Sequence, residues 1–223
     1  HEEGPANMIG AYDVLTGAVH NEKDVLKAFK TGEGVPYEDA CPICFQGTAR
    51  FFKPSYQANL IKKWLPLIEG FEDKMRSGGS FADIGCGHGE FVETLTTFGG
   101  DNIEIIGIEP NVKKQEGARE RGLDIRFFDL ETHQEKYDVI SALNVYSHLP
   151  NPPEDIAKWC KMLNEGGELL LQTGDSAHLP AKYHHKPYSL PDHLSFTNKK
   201  LLVELLENLG MKVIQTKNYR MAQ

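Results

Sequence analysis

The chain contains a glycine-rich turn, Gly85-Cys86-Gly87-His88-Gly89, that constrains its fold more than any other feature of the sequence. A short apolar run over 81–84 precedes the turn and a helical pattern over 88–98 follows it, which predicts a strand, a tight turn and a helix. Doubly wound α/β folds bind their ligands at such a unit, beyond the carboxyl end of the strand. The glycines let a ligand approach the backbone, and the N-terminus of the helix attracts a phosphate or a carboxylate.

Strand and helix patterns alternate along the rest of the chain. After the strand over 81–84, further apolar segments predict strands at 103–108, 124–128, 137–142 and 168–173. Helical patterns lie between them, at 88–98, 113–121 and 152–163, and the run 164–167 is predicted to end the last of these. A final helix over 197–209, capped by Thr197, leads into a predicted strand over 211–216. Because strands alternate with helices of this length, we predict an α/β fold with a doubly wound, mostly parallel sheet.

The residues before the glycine turn carry weaker periodicity. A short helix is predicted over 22–30 with Asn21 as its cap, and a helical pattern over 54–75 is expected to kink or divide at Pro66. We therefore predict two units, an N-terminal helical extension and cover over 1–76 and the main α/β domain over 77–223.

Two acidic residues follow strands on the ligand side of the predicted sheet. Glu109 ends the second strand, where a carboxylate can accept both hydroxyls of a ribose. Asp129 closes the third strand and could accept an adenine amino group, with Leu130 packing on the ring. The spacing G-x-G-x-G departs from the dinucleotide pattern G-x-G-x-x-G, because Glu90 stands at the last position of that pattern. This spacing and the second acid disfavour a nicotinamide oxidoreductase, and a turn that binds nothing is the structural alternative.

The segment from Phe81 to Thr216 resembles the class I methyltransferases that bind S-adenosylmethionine. The resemblance rests on five motifs in the family's order, at 83–91, 107–110, 128–130, 137–149 and 163–169. It implies S-adenosylmethionine as the cofactor, a Rossmann-like sheet of the seven-stranded type, and 77–223 as the catalytic domain that binds the cofactor. Many members carry Glu where Asn144 stands, so this chain departs from the family at the methionine end of the cofactor.

The resemblance also assigns residues to the cofactor. In this family an aromatic residue of an N-terminal helix often touches the methionine carboxylate, and Tyr56 is the candidate here, with packing on the domain as its alternative role. The residues expected to bind the cofactor are Tyr56, Asp83, Gly85, Cys86, Gly87, Gly89, Glu109, Pro110, Asp129, Leu130 and Asn144.

The acceptor is expected at a long stretch rich in proline and histidine over 178–196. A hydroxyl or a protonated amine needs a base before it can attack a methyl group, and histidine suits this role because its pKa lies near neutrality. His148 and His193 are the candidate bases, with Tyr146 as an orienting group, although each histidine could instead be structural. The predicted function is methyl transfer to a small-molecule O, N or C nucleophile. The alternative is a regulatory or partner protein that binds S-adenosylmethionine without catalysis.

Charge and composition narrow the expected partners. Lys and Arg total 24 against 32 for Asp and Glu, and the net charge of −8 disfavours a nucleic-acid partner. No apolar run approaches the ~20 residues of a membrane helix, so no membrane partner is predicted. Four cysteines without a recognisable signal sequence indicate reduced thiols and a cytoplasmic location.

Cys41 and Cys44 form half of a zinc site, which His20 or another histidine could complete, but without a second pair no metal is predicted. The sequence leaves the oligomeric state open.

Overall fold

Five parallel strands form the centre of the part of the chain that the structure describes. They are β1 (Ser80–Ile84), β2 (Glu104–Ile108), β3 (Ile125–Arg126), β4 (Tyr137–Leu143) and β5 (Leu163–Gln172). The strands pair in the order β3-β2-β1-β4-β5, and every pairing is parallel. The chain therefore reverses its direction across the sheet between β1 and β4. This reversal is the topological switch point of a doubly wound sheet, beside which such folds bind ligands, and it confirms the predicted fold class.

The computed structural model describes residues 7–36, 39, 41–99, 102–127, 130, 132–180 and 193–218. Two predicted features lie outside these described residues: the candidate adenine acceptor Asp129, and residues 181–192 of the expected acceptor loop.

The helices are numbered in chain order. They are α1 (Ile9–His20), α2 (Glu22–Thr31), α3 (Pro42–Asn59), α4 (Phe71–Arg76), α5 (Glu90–Gly99), α6 (Val112–Arg119), α7 (Pro152–Lys161) and α8 (Lys199–Asn208). A π-helical turn over Leu60–Trp64 and a 3₁₀ turn over Leu65–Leu67 continue α3, and a second 3₁₀ turn covers Tyr146–His148. Within the described part of the chain, no helix combines the length and the apolar composition needed to cross a bilayer.

The sheet separates two hydrophobic cores. On one face, Phe81 packs with Phe91 and Leu95 of α5 and with buried leucines of the turns after α3. On the other face, Ile106 and Ile140 pack with α7 and with half-buried leucines of α8. Four of the five residues of β1 and of β2 are buried, as expected for parallel strands covered on both faces. These two cores fix the carboxyl ends of β1, β2 and β4 at one edge.

Helices α1 and α3 approach each other through glycines. A Cβ atom at Gly10 would overlap the backbone nitrogen of Phe51, and one at Gly17 would overlap the Cys44 thiol. A Cβ at Gly47 of α3 would lie 2.6 Å from the backbone nitrogen of Val14. Because backbone atoms block these positions, only glycine allows the two helices to lie this close.

The predicted strand over 211–216 is wrong. This segment pairs with no strand of the described residues, and Ile214 is 56% exposed. The Met211 amide instead donates to Leu206 O, in a turn that ends α8. An alternating pattern of two or three apolar residues does not form a strand unless a sheet edge is positioned to pair with it.

Three local predictions also need correction. Asn21 occupies the N-cap position of α2 as predicted, but its side chain makes no capping hydrogen bond, since its Oδ1 accepts from the Cys41 amide at 2.8 Å. Asn198, rather than Thr197, caps α8 by accepting from the Leu201 amide. The run 164–167 lies inside β5, where the pairing with β4 shifts register. Pro66 does divide the helical pattern as predicted, but α3 begins at Pro42, much earlier than expected, and α1 was not predicted at all.

The close α1–α3 contact predicts a large difference between two helical glycines. Gly10→Ala should destabilise the protein by about 1–3 kcal/mol, because the new methyl group meets backbone atoms. Gly117→Ala in α6, where a Cβ meets nothing within 4 Å, should be neutral or stabilising by up to ~1 kcal/mol. Urea unfolding measures both changes, and equal stability of the two variants would contradict the described contact.

Candidate active site

The glycine turn joins β1 to α5 with three left-handed residues. The φ angles of Gly85, Gly87 and Gly89 are 67°, 59° and 83°, a region that favours glycine. A Cβ at Gly85 would lie 2.5 Å from Val145, and one at Gly89 would lie 2.7 Å from Leu123, so these two glycines are also packed. A Cβ at Gly87 would meet nothing within 4 Å. Gly87 therefore presents its backbone to open space, where a ligand can approach it.

Glu109 ties the end of β2 to this turn. Its side chain is buried, and its Oε2 accepts from the Gly87 amide at 2.9 Å. Its Oε1 accepts from the Asn111 amide at 3.0 Å. A carboxylate has about four acceptor positions, so capacity remains for two further donors such as the hydroxyls of a ribose. The same group can therefore shape the turn and bind a diol.

Asp83 is a buried acid at the carboxyl end of β1. It is paired in register with Gly107 of β2 and with Ser141 of β4, and its Oδ1 accepts from the Ser141 hydroxyl at 2.5 Å. Burial, opposed by the Ser141 hydrogen bond and assisted by the charges of Glu109 and Glu90, raises the pKa of Asp83 from 3.8 to about 7. A cationic group beside Asp83 would favour its ionised form.

Tyr56 of α3 lies over the start of α5. Its ring makes edge contacts with Trp64 and Phe91, with centroids 5.9 and 6.5 Å away. Its hydroxyl is hydrogen-bonded to the Asn144 side chain. Burial, followed by the charge of Asp83, raises the pKa of Tyr56 far above its usual range, which keeps the hydroxyl protonated. The structure thus brings the N-terminal extension to the glycine turn.

Asn144, directly after β4, has an unusual backbone. Its φ of 59° makes it the one non-glycine residue with a left-handed backbone in the described part of the chain. Asparagine tolerates this region better than most residues, and its amide donates to Gln172 O at 2.9 Å. This conformation positions the side chain that meets Tyr56.

Three residues near the turn escaped the sequence analysis. Glu90 begins α5, and burial raises its pKa. The Ser141 hydroxyl donates a hydrogen bond to Asp83. The Asn111 amide donates to Glu109, and the Asn111 side chain accepts from the Lys114 amide and so caps α6. The spacing of the glycine turn assigns Glu90 no contact, although an acid in the first turn of the following helix is stabilised by the helix dipole and lies close to the ligand side.

The remaining predicted cofactor residues have varied positions. Cys86 is buried against Gly107, and burial raises the pKa of its thiol well above the usual range, so it stays protonated. Pro110 is exposed beside Glu109. Leu130 is half-buried against the core on the α7–α8 face.

The two predicted bases lie next to each other. The rings of His148 and His193 are 5.0 Å apart between centroids and nearly perpendicular. The amides of Leu194 and Ser195 both donate to Ser147 O, at 2.7 and 3.1 Å, which joins the two loops. Val145, in the same loop, contacts Gly85 of the glycine turn. The histidine pair therefore belongs to the same edge of the sheet as the turn.

Tyr146 has a different setting from the histidines. It is 9% exposed and packs in the core of the α7–α8 face. Its orienting role stays a prediction.

The cysteine pair at the start of α3 contacts α1 and the α1–α2 junction. The Cys41 amide donates to Asn21, and the Cys44 thiol packs on Gly17. Among the described residues, no group of three or more His, Cys, Asp and Glu side chains is arranged to hold a metal ion. That Cys41 and Cys44 hold no zinc stays a prediction, and elemental analysis of the purified protein tests it.

The chain is similar in sequence to known proteins. The model of a family described as "methyltransferase domain" matches residues 56–216. The ubiquinone biosynthesis O-methyltransferase of Salmonella enteritidis is 28% identical over 134 residues, which cover 55% of this chain and 52% of that protein. The protein of the same name from Shewanella pealeana is 27% identical over 70% of this chain and 72% of its own length. The chain thus spans about half the length of several curated relatives that it matches.

A solved structure shares the fold. The crystal structure of a SAM-dependent methyltransferase from Archaeoglobus fulgidus aligns with a TM-score of 0.52 and 20% identity, over 75% of this chain and 71% of that one.

The parallel sheet, the glycine turn after β1 and the buried acid after β2 define the class I fold of S-adenosylmethionine-dependent methyltransferases. The family match covers more than half of the chain. The chain belongs to the family of methyltransferase domains, as the sequence motifs predicted.

The raised pKa of Asp83 predicts how stability depends on pH. Its folded pKa of about 7 exceeds the ordinary value of 3.8, so its contribution is fully present at low pH and is lost as pH rises through about 7. Asp83→Asn stays neutral, so its stability relative to the natural protein should rise by roughly 3 kcal/mol between about pH 5 and pH 8.

Asp138 provides a control of opposite sign. A hydrogen bond from the Ser80 amide lowers the pKa of Asp138, so this group is ionised throughout the same range. Asp138→Asn should destabilise the protein by the same amount at both pH values. Urea unfolding at each pH measures both variants, and a pH-independent effect of Asp83→Asn would show that Asp83 is already ionised.

Proposed function

We propose that this chain transfers a methyl group from S-adenosylmethionine to an oxygen, nitrogen or carbon nucleophile of a small molecule. The observation that carries the proposal is the buried Glu109 carboxylate bonded to the amide of Gly87, whose backbone faces open space. The pair offers an acceptor for the ribose hydroxyls beside a backbone that a ligand can approach. The chemistry of the donor set thus fits the cofactor, with the adenine amine assigned to Asp129 and the ring to Leu130.

The acids near the turn support a cationic ligand end. Glu90 and Glu109 lie close enough to Asp83 to raise its pKa. A positive charge among the three acids would therefore be stabilised. We assign the ammonium group of the methionine moiety to this cluster and to Asn144. Its carboxylate is assigned to the N-terminus of α5 and the hydroxyl of Tyr56, which donates from above.

The cofactor supplies a methyl group on a positively charged sulfur, ready for displacement. The residues of this chain align the acceptor with that group and remove a proton. His148 or His193 accepts the proton from an acceptor hydroxyl or amine, since the two imidazoles lie together at the ligand edge of the sheet. The extension over 1–76, through α3 and Tyr56, covers the cofactor and excludes water.

The relatives and the charge support a small acceptor. The curated relatives are named as O-methyltransferases of ubiquinone biosynthesis, which favours oxygen among the possible nucleophiles. The net charge of −8 favours a small molecule over a nucleic acid. We also propose a cytoplasmic location, supported by the absence of disulfides among the four cysteines, all of which lie in the described part of the chain.

The direct test uses methyl-labelled S-adenosylmethionine and the small-molecule fraction of a cell extract. Mass spectrometry should find a labelled small molecule and an equal amount of S-adenosylhomocysteine. Cofactor that binds but yields no labelled product in any fraction would instead support a regulatory or partner protein.

Glu109→Ala should weaken binding of S-adenosylmethionine by about 2–4 kcal/mol, because hydrogen bonds to a charged acceptor are lost. Isothermal titration calorimetry measures this change. Glu104→Ala is the matched control, since Glu104 lies at the other end of β2 and is exposed. Binding by Glu109→Ala within twofold of the natural protein would show that the ribose is placed elsewhere.

Replacement of the catalytic histidine should reduce turnover and leave cofactor binding unchanged. His193→Ala or His148→Ala should lower kcat by about 10²–10⁴-fold on the labelled acceptor, if that acceptor needs a base. His20→Ala is the control, because His20 is exposed at the end of α1, outside the stretch assigned to the acceptor. Full activity in both variants would exclude either histidine as the base.

A further inference from the structure

Helix α1 has apolar residues on two opposite faces. One face carries Gly10 and Gly17 and is buried against α3. The opposite face carries Tyr12, Leu15 and Val19, which are 71%, 53% and 71% exposed. A helix that is apolar all round is normally buried all round. The outer face of α1 therefore lacks a partner within the described part of the chain.

The exposed residues are spaced for helix pairing. Met8, Tyr12, Leu15 and Val19 follow one another at intervals of four, three and four residues. Asn21 keeps a right-handed helical backbone between α1 and α2, and the same spacing continues through Glu22 to Leu26 and Phe29. This alternation of three and four residues is the pattern by which two helices pack side by side. We call the exposed apolar residues of this series and their neighbours (Met8, Ile9, Tyr12, Leu15, Val19, Val25, Leu26 and Phe29) the α1–α2 stripe.

The charges around the stripe permit a second copy of the chain. Two molecules with a net charge of −8 repel each other unless they meet through a neutral surface. The acid of α1, Asp13, is turned away from the stripe and pairs with Arg50 of α3 at 3.2 Å. Glu22 is the one charged residue in the spaced series, and Lys23 lies beside it.

The exposed area of the stripe also matches an interface between two copies. Its eight residues are between 37% and 86% exposed. These fractions correspond to roughly 900 Å² of accessible surface per chain, close to what each partner buries in a standard protein interface. Isolated exposed apolar residues are common, but eight of them between Met8 and Phe29 mark an interaction site.

We propose that the α1–α2 stripe is a dimer interface whose occupant is the stripe of a second copy of this chain. The contact is isologous, so the same residues of both copies face each other around a two-fold axis. Because α1 packs on α3, which carries Tyr56, the dimer holds the cover of the cofactor site in place.

Sedimentation velocity on the full chain tests the proposal. The natural protein should be a dimer at about 10 µM. Leu15→Glu should raise the dimer dissociation constant at least about 100-fold, because it places a charge inside an apolar contact. The matched control is Leu201→Glu on α8, where a leucine is 49% exposed, and this variant should remain a dimer. Circular dichroism should show that both variants are folded, since both leucines are exposed.

Crosslinking tests the symmetry independently. Val19→Cys should form a disulfide-linked dimer under mild oxidation, because the middle of an isologous stripe lies near the two-fold axis. Leu201→Cys should not. A natural protein that stays monomeric at about 100 µM, or a dimer that Leu15→Glu leaves intact, would overturn the proposal. A monomer that instead sediments with anionic phospholipid vesicles would assign the stripe to a lipid surface and would overturn it equally.

Discussion

The Glu109 carboxylate connects the two parts of the sheet edge on which the site depends. It ends β2, yet it accepts the amide of Gly87 in the turn after β1 and the amide of Asn111 before α6. Without this acceptor, the amide of Gly87 would have no hydrogen-bond acceptor among the described residues. The same carboxylate has capacity for the hydroxyls of a ribose, so the interaction that shapes the turn also orients the acceptor that we propose for the cofactor.

The electrostatics of the site follow from where the strands end. Asp83, Glu109 and Glu90 come from neighbouring elements and converge on a largely buried region. Burial of several acids costs free energy, and Asp83 responds by holding its proton up to about pH 7. A cationic ligand would stabilise the ionised acids and so offset part of that free energy. The cluster therefore favours a positively charged ligand over a negatively charged one. A nicotinamide dinucleotide carries a negatively charged pyrophosphate and would meet this cluster unfavourably.

The sequence predicted the sheet well because β1, β2 and β4 are buried on both faces and read as continuous apolar runs. It also predicted the turn and Glu109, since glycines that need positive φ and an acid after a strand leave a local signal. It failed at 211–216, where strand formation depends on a distant sheet edge rather than on local pattern. The contacts of Asp83 with Ser141 and of Tyr56 with Asn144 join residues 58 and 88 positions apart, and no local pattern reports such pairs. Helix α1 is not predictable from its local sequence, because its two apolar faces remove the amphipathic periodicity on which helix prediction relies.

We propose that the glycine turn, Glu109 and Asp83 bind S-adenosylmethionine in preference to NAD. Calorimetric titration of the purified protein with S-adenosylmethionine and, separately, with NAD tests this claim most directly. The account predicts a dissociation constant in the micromolar range for S-adenosylmethionine, one site per chain, and no measurable heat with NAD. Saturable binding of NAD, with S-adenosylmethionine giving no heat, would contradict it.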